Sequence, residues 1–503
     1  MKYLNSKQLL NKRQYGFTPQ TGTTEALMDV KEFVEDSLTK NGVVVMISLD
    51  VKGAFNAAWW PALFQSMRNM QCPRNLYNLT IDYFSGRMAA LEMNGVRVER
   101  AVNRGCPQGS CCGPGYWNIQ YNSLLNLGFT KSSRAIAYAD DFLLLVRGKQ
   151  LLEVENIANI ELQKISSWSR NNKIQFHEKK SKIMIISKRR AIHKEKISIY
   201  LNYKQLEQVC DIKYLGVHID HKFKFYNHVK YITDRCCKLI NILARSARIS
   251  WGLRQDALNA IYKGAIIPIM TYAAPVWSTA LQKQFNRQKV NRVHRLINIR
   301  ILKAFRTLSY DASCVLSGHI PLVIKIDEIS AVYNKLKEKN LENGNTRTMQ
   351  GTEAQRVLRK QQMRAVGQEM RRISEERWQV EWTNGRKGEH TRAFFPIVAL
   401  RLKTKLPFCP KITTILSGHG PIGSYYYRFN ITDSPNCACA MGVQDVNHII
   451  YECPLLVDLR LQLRTGIEGA GKTWPVAGAS LVEHYNSEFV KFIRSIDFDI
   501  LRP

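Results

Sequence analysis

The chain has 503 residues, too many for one ordinary domain, and its 45% apolar content is that of a globular protein rather than a disordered one. Its 73 lysines and arginines outnumber 41 aspartates and glutamates, for a formal charge of +32. Such a surplus repels itself and points to a polyanionic partner, with a merely soluble basic surface as the plainer alternative.

At the N-terminus, Met1-Lys2-Tyr3-Leu4-Asn5-Ser6 has neither the apolar core nor the cleavage site of a signal peptide. No stretch approaches the ~18 apolar residues of a membrane helix, so no membrane partner is expected. Val43 to Leu49 is an apolar run ending at Asp50, the pattern of a buried strand. Ile136 to Val146 holds two apolar halves around an acidic centre and predicts a tight hairpin. Leu151, Val154, Ala158, Leu162 and Ile165 then fall at helical spacing. Strand, helix and hairpin interleave, which predicts an α+β domain over 1–222. Residues 223–305 read as helical and basic. Residues 306–400 read as a helical or linker region, which from about 335 to 380 turns polar and charged, as a linker or an exposed helix. Residues 401–460 are rich in Gly, Pro, Tyr and Cys, and 461–503 read as a tail. The twelve cysteines are scattered and predict free thiols plus one metal site.

Chemistry concentrates at Tyr138-Ala139-Asp140-Asp141. Two adjacent acids among apolar neighbours repel each other and resist desolvation. A divalent cation resolves both problems, and Asp50, ending its own apolar strand, could meet the hairpin tip across a sheet. The alternative is a turn in which both aspartates face water.

Tyr138-Ala139-Asp140-Asp141 resembles the YxDD box of reverse transcriptases, and Leu49-Asp50-Val51-Lys52-Gly53-Ala54-Phe55 their first acidic motif. Arg104-Gly105-Cys106-Pro107-Gln108-Gly109-Ser110 looks like the template- and nucleotide-binding motif, and Gln14-Tyr15-Gly16-Phe17 like a fingers motif. Lys180-Ser181 and Tyr214-Leu215-Gly216-Val217 stand where the family carries its fourth palm motif and primer grip. Six boxes in order make chance improbable. Trp59-Trp60-Pro61, Trp117-Asn118 and Tyr272-Ala273-Ala274-Pro275-Val276-Trp277 narrow the resemblance to non-LTR retrotransposons, and within them to type I ribosomal-DNA-inserting elements of arthropods.

The resemblance implies a right-hand polymerase: incomplete fingers and a palm with a small antiparallel sheet, a helical thumb, and a C-terminal zinc-knuckle region. Asp50, Asp140 and Asp141 would be catalytic and hold two Mg²⁺. Phe55 would exclude a ribose 2′-hydroxyl; Gln108, Gly109 and Lys180 would bind the nucleotide; Tyr214, Leu215 and Gly216 would form the primer grip. Cys437, Cys439, His448 and Cys453 offer four ligands of zinc type, preceded by Ser417-Gly418-His419-Gly420 as in these elements. Tyr425, Tyr426 and Tyr427 could stack on bases or pack around the metal. Asn56 replaces a common acid, and Thr18-Pro19-Gln20-Thr21-Gly22 lacks a common arginine. The implied activity is RNA-directed DNA synthesis in the nucleus, with dNTPs, on element RNA from a nicked target-DNA primer. The chain opens almost at the Gln14 box, as a C-terminal fragment of a polyprotein whose endonuclease lies upstream would. The alternative is a nucleic-acid-binding remnant without polymerase activity; an RNA-directed RNA polymerase is weakened by Phe55.

Overall fold

The structure is a computed structural model that describes residues 3–4, 7–245, 252–342 and 353–501. Parts of the expected thumb (246–251) and of the expected polar region (343–352) lie outside the described residues, as does most of the hexapeptide read for a signal sequence. The chain divides into two compact units. One comprises Met1–His228, Pro275–Thr279 and Lys337–Gln361; the other Val229–Ala274, Ala280–Leu336 and Gln362–Pro503.

The first unit is built on a sheet. Strands β1 (Val43–Leu49), β4 (Ser133–Tyr138), β5 (Asp141–Gly148), β6 (Lys182–Ser187) and the short β7 (Glu207–Gln208) lie in the order β4-β5-β1-β6-β7. β1 is central and antiparallel to both neighbours, with Leu49 opposite Phe142 and Ser48 opposite Lys182. Helix α1 (Thr23–Thr39) packs against β1, β4 and β5, and α5 (Leu151–Asn172) against β1 and β5. Val43, Val45, Ile47 and Leu49 share a core with Val154, Ala158, Leu162 and Ile165 of α5. Cover on both faces explains why β1 reads as a near-continuous apolar run rather than an alternating one. Helix α4 (Gly113–Leu125) adds Trp117, Tyr121 and Leu124 to that core.

Between β1 and α4 come α2 (Trp60–Asn69), α3 (Arg74–Phe84) and an exposed hairpin, β2 (Met88–Met93) with β3 (Val96–Ala101). A second hairpin, β8 (Asp211–Tyr214) with β9 (Val217–Asp220), turns through Leu215 and Gly216, both at positive φ.

The second unit is helical. Gln284–Leu302, Tyr310–Ser317, Pro410–Ser417, Val457–Gly469 and Asn486–Ser495 contribute to one apolar core running in sequence from Ile299 to Leu501. The last forty residues therefore depart from the expected tail. Leu463, Ile467, Leu481, Phe489, Phe492 and Leu501 are all buried in that core. Likewise the polar stretch forms one long helix, Glu353–Thr383, whose Trp378 and Trp382 are buried four residues apart. Among the described residues no single helix is long and apolar enough to cross a membrane.

Candidate active site and metal centre

β4 and β5 pair through Tyr138 and Asp141, which leaves Ala139 and Asp140 as the two-residue tip of the hairpin. The β1–β5 register, continued one step past Leu49 and Phe142, sets Asp50 opposite Asp141. The two acidic motifs thus meet at one end of the sheet because each aspartate directly follows, or opens, an apolar strand.

Ala139 has φ +57°, a left-handed conformation unfavourable to an L-alanine, so surrounding contacts must hold it. Trp117 Nε1 donates to Ala139 O at 3.1 Å, and Tyr121 OH to Asp140 O at 3.4 Å. On the other side the Gln14–Phe17 segment runs along β4: Tyr15 N donates to Ala137 O at 2.8 Å and Ala137 N to Arg13 O at 2.9 Å. Gly16 then lies so close that a Cβ on it would fall 2.0 Å from Ala139 N. The motif expected in the fingers is thus an extra edge against the hairpin that carries Asp140 and Asp141.

Asp50 is held through its backbone. Its N–H donates to Ser181 Oγ at 3.2 Å, its carbonyl accepts from His177 N at 2.6 Å, and Ser181 Oγ donates back to His177 O at 3.1 Å. Ser181 is fully buried. The Lys180 ammonium stands 3.8 Å from Asp50 Oδ2, so the structure brings that lysine to the carboxylates. Asp141 keeps contact with water as a residue, yet partial burial of its carboxyl, then the charges of Asp140 and Asp50, raise its pKa. Burial, then Asp140 and Asp141, hold the Tyr121 hydroxyl far above its usual range, and Tyr214 likewise feels Asp141. An all-oxygen anionic set whose members disfavour each other's charge is chemically suited to a hard divalent cation.

Phe55 sits on a column of rings: it stacks on Trp117 at 5.7 Å, Trp117 on Tyr121 at 4.9 Å, and Phe17 meets Phe55 edge-on at 6.0 Å. Its carbonyl accepts from Cys106 N at 2.7 Å, which joins the first acidic motif to the Gly105–Ser110 segment. Gln108 and Gly109 stand exposed in the turn before α4; the fold does not bury them against the carboxylates. Leu215 and Gly216 form the β8–β9 turn, and Tyr214 is buried behind it. Ser181, Trp117 and Gly16 were visible in the sequence only as motif neighbours, without a role.

In the second unit Cys437, Cys439, His448 and Cys453 converge, with one ligand atom from each lying within 4.8 Å of the others. Cys437 Sγ is 3.7 Å from Cys453 Sγ, and Cys439 Sγ 3.2 Å from His448 Nε2. A tetrahedral site with metal–sulfur arms of about 2.3 Å has edges of about 3.8 Å, so this set fits a Zn²⁺-sized ion. Ala440 at φ +57° turns the loop, and Met441 N donates to Cys439 Sγ at 3.4 Å. Against burial, which acts the other way, these hydrogen bonds bring the Cys439 thiol down to about 7. His448 Nδ1 faces Glu452 at 3.4 Å, an outer carboxylate that orients the ring. Tyr425 is buried among Phe305, His419 and Phe429, whereas Tyr427 is half exposed.

Known proteins share similarity with the chain. Residues 1–219 match the family model described as reverse transcriptase (RNA-dependent DNA polymerase). The chain is 26% identical over 452 residues to the Retrovirus-related Pol polyprotein from type-1 retrotransposable element R1 of Bradysia coprophila, covering 89% of this chain and 44% of that protein. It is 27% identical to the Putative 115 kDa protein in type-1 retrotransposable element R1DM of Drosophila melanogaster, covering 92% and 44%. The chain thus spans less than half the length of these relatives. Among solved structures, telomerase from Candida tropicalis with a fragment of telomeric RNA matches over 62% of this chain and 50% of its own, at 12% identity and a TM-score of 0.35. Residues 1–219 thus match the reverse transcriptase family model, and about nine-tenths of the chain is similar to the Pol polyproteins of R1-type retrotransposable elements.

Proposed function

We propose that the chain is the RNA-directed DNA polymerase part of a non-LTR retrotransposon, copying element RNA in the nucleus from a nicked target-DNA 3′-hydroxyl. The observation that carries this reading is Asp50 set opposite Asp141 at the hairpin tip, with Phe55 stacked on the Trp117 that bonds Ala139 O. Asp50, Asp140 and Asp141 would hold two Mg²⁺, which when bound supply an activated 3′-hydroxyl and a neutralised pyrophosphate leaving group. Ser181 fixes the Asp50 backbone, and so is a positioning residue. Phe55, pinned by Trp117, offers a 2′-hydroxyl neither room nor a hydrogen-bond partner. Lys180, 3.8 Å from Asp50 Oδ2, would lie near the triphosphate and protonate the leaving pyrophosphate. Gln108 and Gly109 would lie under the incoming nucleotide, and the Tyr214–Gly216 turn would support the primer end. In the second unit the Cys437–Cys453 set would hold Zn²⁺ and add affinity for nucleic acid.

The test is incorporation on poly(rA)–oligo(dT) with Mg²⁺, run beside RNA binding. The parent chain extends the primer; Asp140→Ala loses roughly a thousandfold or more in rate while RNA binding persists. Phe55→Val gains use of UTP. Extension by Asp140→Ala near the parent rate would remove the carboxylate assignment. RNA binding by a parent that never extends would leave a binding remnant instead.

A further inference from the structure

Helix α5 and the short hairpin Tyr200–Gln205 wall a groove of about 1360 Å³ in the first unit. None of Asp50, Asp140 and Asp141 lines it. Its size exceeds the ~300–1,000 Å³ of ordinary small-molecule pockets, and its lining is mostly polar. Four cations, Lys52, Arg104, Arg170 and Lys173, face it against one acid, Glu178. That acid is already engaged, by Lys52 Nζ at 3.6 Å and Asn202 Nδ2 at 3.3 Å. Arg104, Arg170 and Lys173 therefore present positive charge that Glu178 does not neutralise.

The hairpin wall is pinned: Tyr200 N donates to Asn159 Oδ1 at 3.0 Å, and Asn159 Nδ2 to Ser198 O at 2.9 Å. At its tip stands Tyr203, with φ +65° and 97% of its surface exposed. A left-handed backbone is unfavourable for a bulky L-residue, and a ring left in water returns nothing to the fold. Tyr200, also half exposed, lines the same groove. Backbone strain spent on presenting an unburied ring beside unneutralised cations points to a ligand with both phosphates and flat faces.

We propose that this groove binds a single-stranded polynucleotide, its phosphates tracking Arg104, Arg170 and Lys173 and its bases stacking on Tyr203 and Tyr200. This goes beyond the polymerase reading and holds whether or not the carboxylates turn over. The experiment is photocrosslinking of the full chain, without dNTP, to short oligo(rU) or oligo(dT) carrying a 4-thio base, with mapping by mass spectrometry. Adducts are expected at Tyr203 or Tyr200 with either oligomer. Because Tyr203 is exposed, Tyr203→Ala should fold normally, lose that adduct and weaken single-strand binding about tenfold. Arg170→Gln with Lys173→Gln should flatten the dependence of log affinity on log salt by about 1.4. Adducts that avoid the hairpin, stronger protection by a duplex of equal length, or protection by inorganic triphosphate but not by oligomer would each overturn the assignment.

Discussion

At Gly16 one methyl group decides the geometry of the carboxylate tip. A Cβ there would fall 2.0 Å from Ala139 N and 2.8 Å from Ala139 Cα, both backbone atoms that cannot rotate away. Glycine is required by contact here, not by a positive φ. Gly16→Ala should therefore displace Asp140 and reduce dNTP incorporation roughly a hundredfold, since a misplacement of ~1 Å can cost that much. Far-UV circular dichroism should stay unchanged, and parent-level incorporation would show that the tip has slack. Asp50, Asp140 and Asp141 were legible because each interrupts or ends an apolar run. Ser181 was not, because its partner, the Asp50 N–H, is 131 residues away and a serine carries no local signal of such a bond. Trp117 and Tyr121 were hidden for the same reason: their bonds to Ala139 and Asp140 exist only once α4 packs against the sheet.

Among the elements, β1, the β4–β5 hairpin and α5 could be read from periodicity alone, since burial on both faces or on one stripe sets the pattern directly. The helix Glu353–Thr383 resisted that reading. Its surface carries pairs such as Arg371–Glu375 at 2.6 Å and Arg377–Glu381 at 3.0 Å, which look like a solvated linker, while only a narrow stripe enters the core. Another cluster in the second unit is equally silent in sequence. Tyr262 OH lies 3.0 Å from His294 Nε2, His294 Nδ1 3.2 Å from Tyr310 OH, and His319 Nδ1 2.9 Å from Asn298 Oδ1. Burial, then Lys263 and Arg401, push His319 down to about 3; burial, then His319, hold His294 well below its usual range. Below the ordinary histidine value of ~6.5 the unfolded chain takes up protons that the folded one refuses. Stability contributed here is therefore complete above that pH and lost as pH falls toward 3. Each histidine contributes a slope of up to about 1.4 kcal/mol per pH unit. Urea unfolding at pH 7.5, 6 and 5, read by hydrogen exchange of the 290–320 segment, should show the loss, and His319→Asn should reduce the slope. A midpoint flat across that range would mean the pair titrates normally.

On the scale of the whole molecule, the charge of +32 and the order of motifs set the class, while the depth at which the Cys/His set sits came only from the fold. Cys437 and Cys453 belong to the same core as Leu302, Trp382 and Leu501, so a bound ion would brace the core itself and not a detached knuckle. One Zn²⁺ per chain is expected by elemental analysis. A strong chelator, or Cys453→Ser, should destabilise the segment 362–501 by about 3 kcal/mol or more, with exchange in 1–228 unaltered. Full retention of exchange protection after metal stripping would show that the four side chains need no ion. The reach of that core also has a consequence for the order of events on the ribosome. Thr413 Oγ1 donates to Leu302 O at 2.6 Å across 111 residues, and Gln444 Nε2 to Leu501 O at 2.7 Å. Contacts of such span form slowly and only after both ends exist. The helix Gln284–Leu302 can pack on Tyr310–Ser317 soon after both emerge, but the rest of that core stays uncovered until residue 501 has been made. Nascent chains stalled before that point are the natural clients of a chaperone.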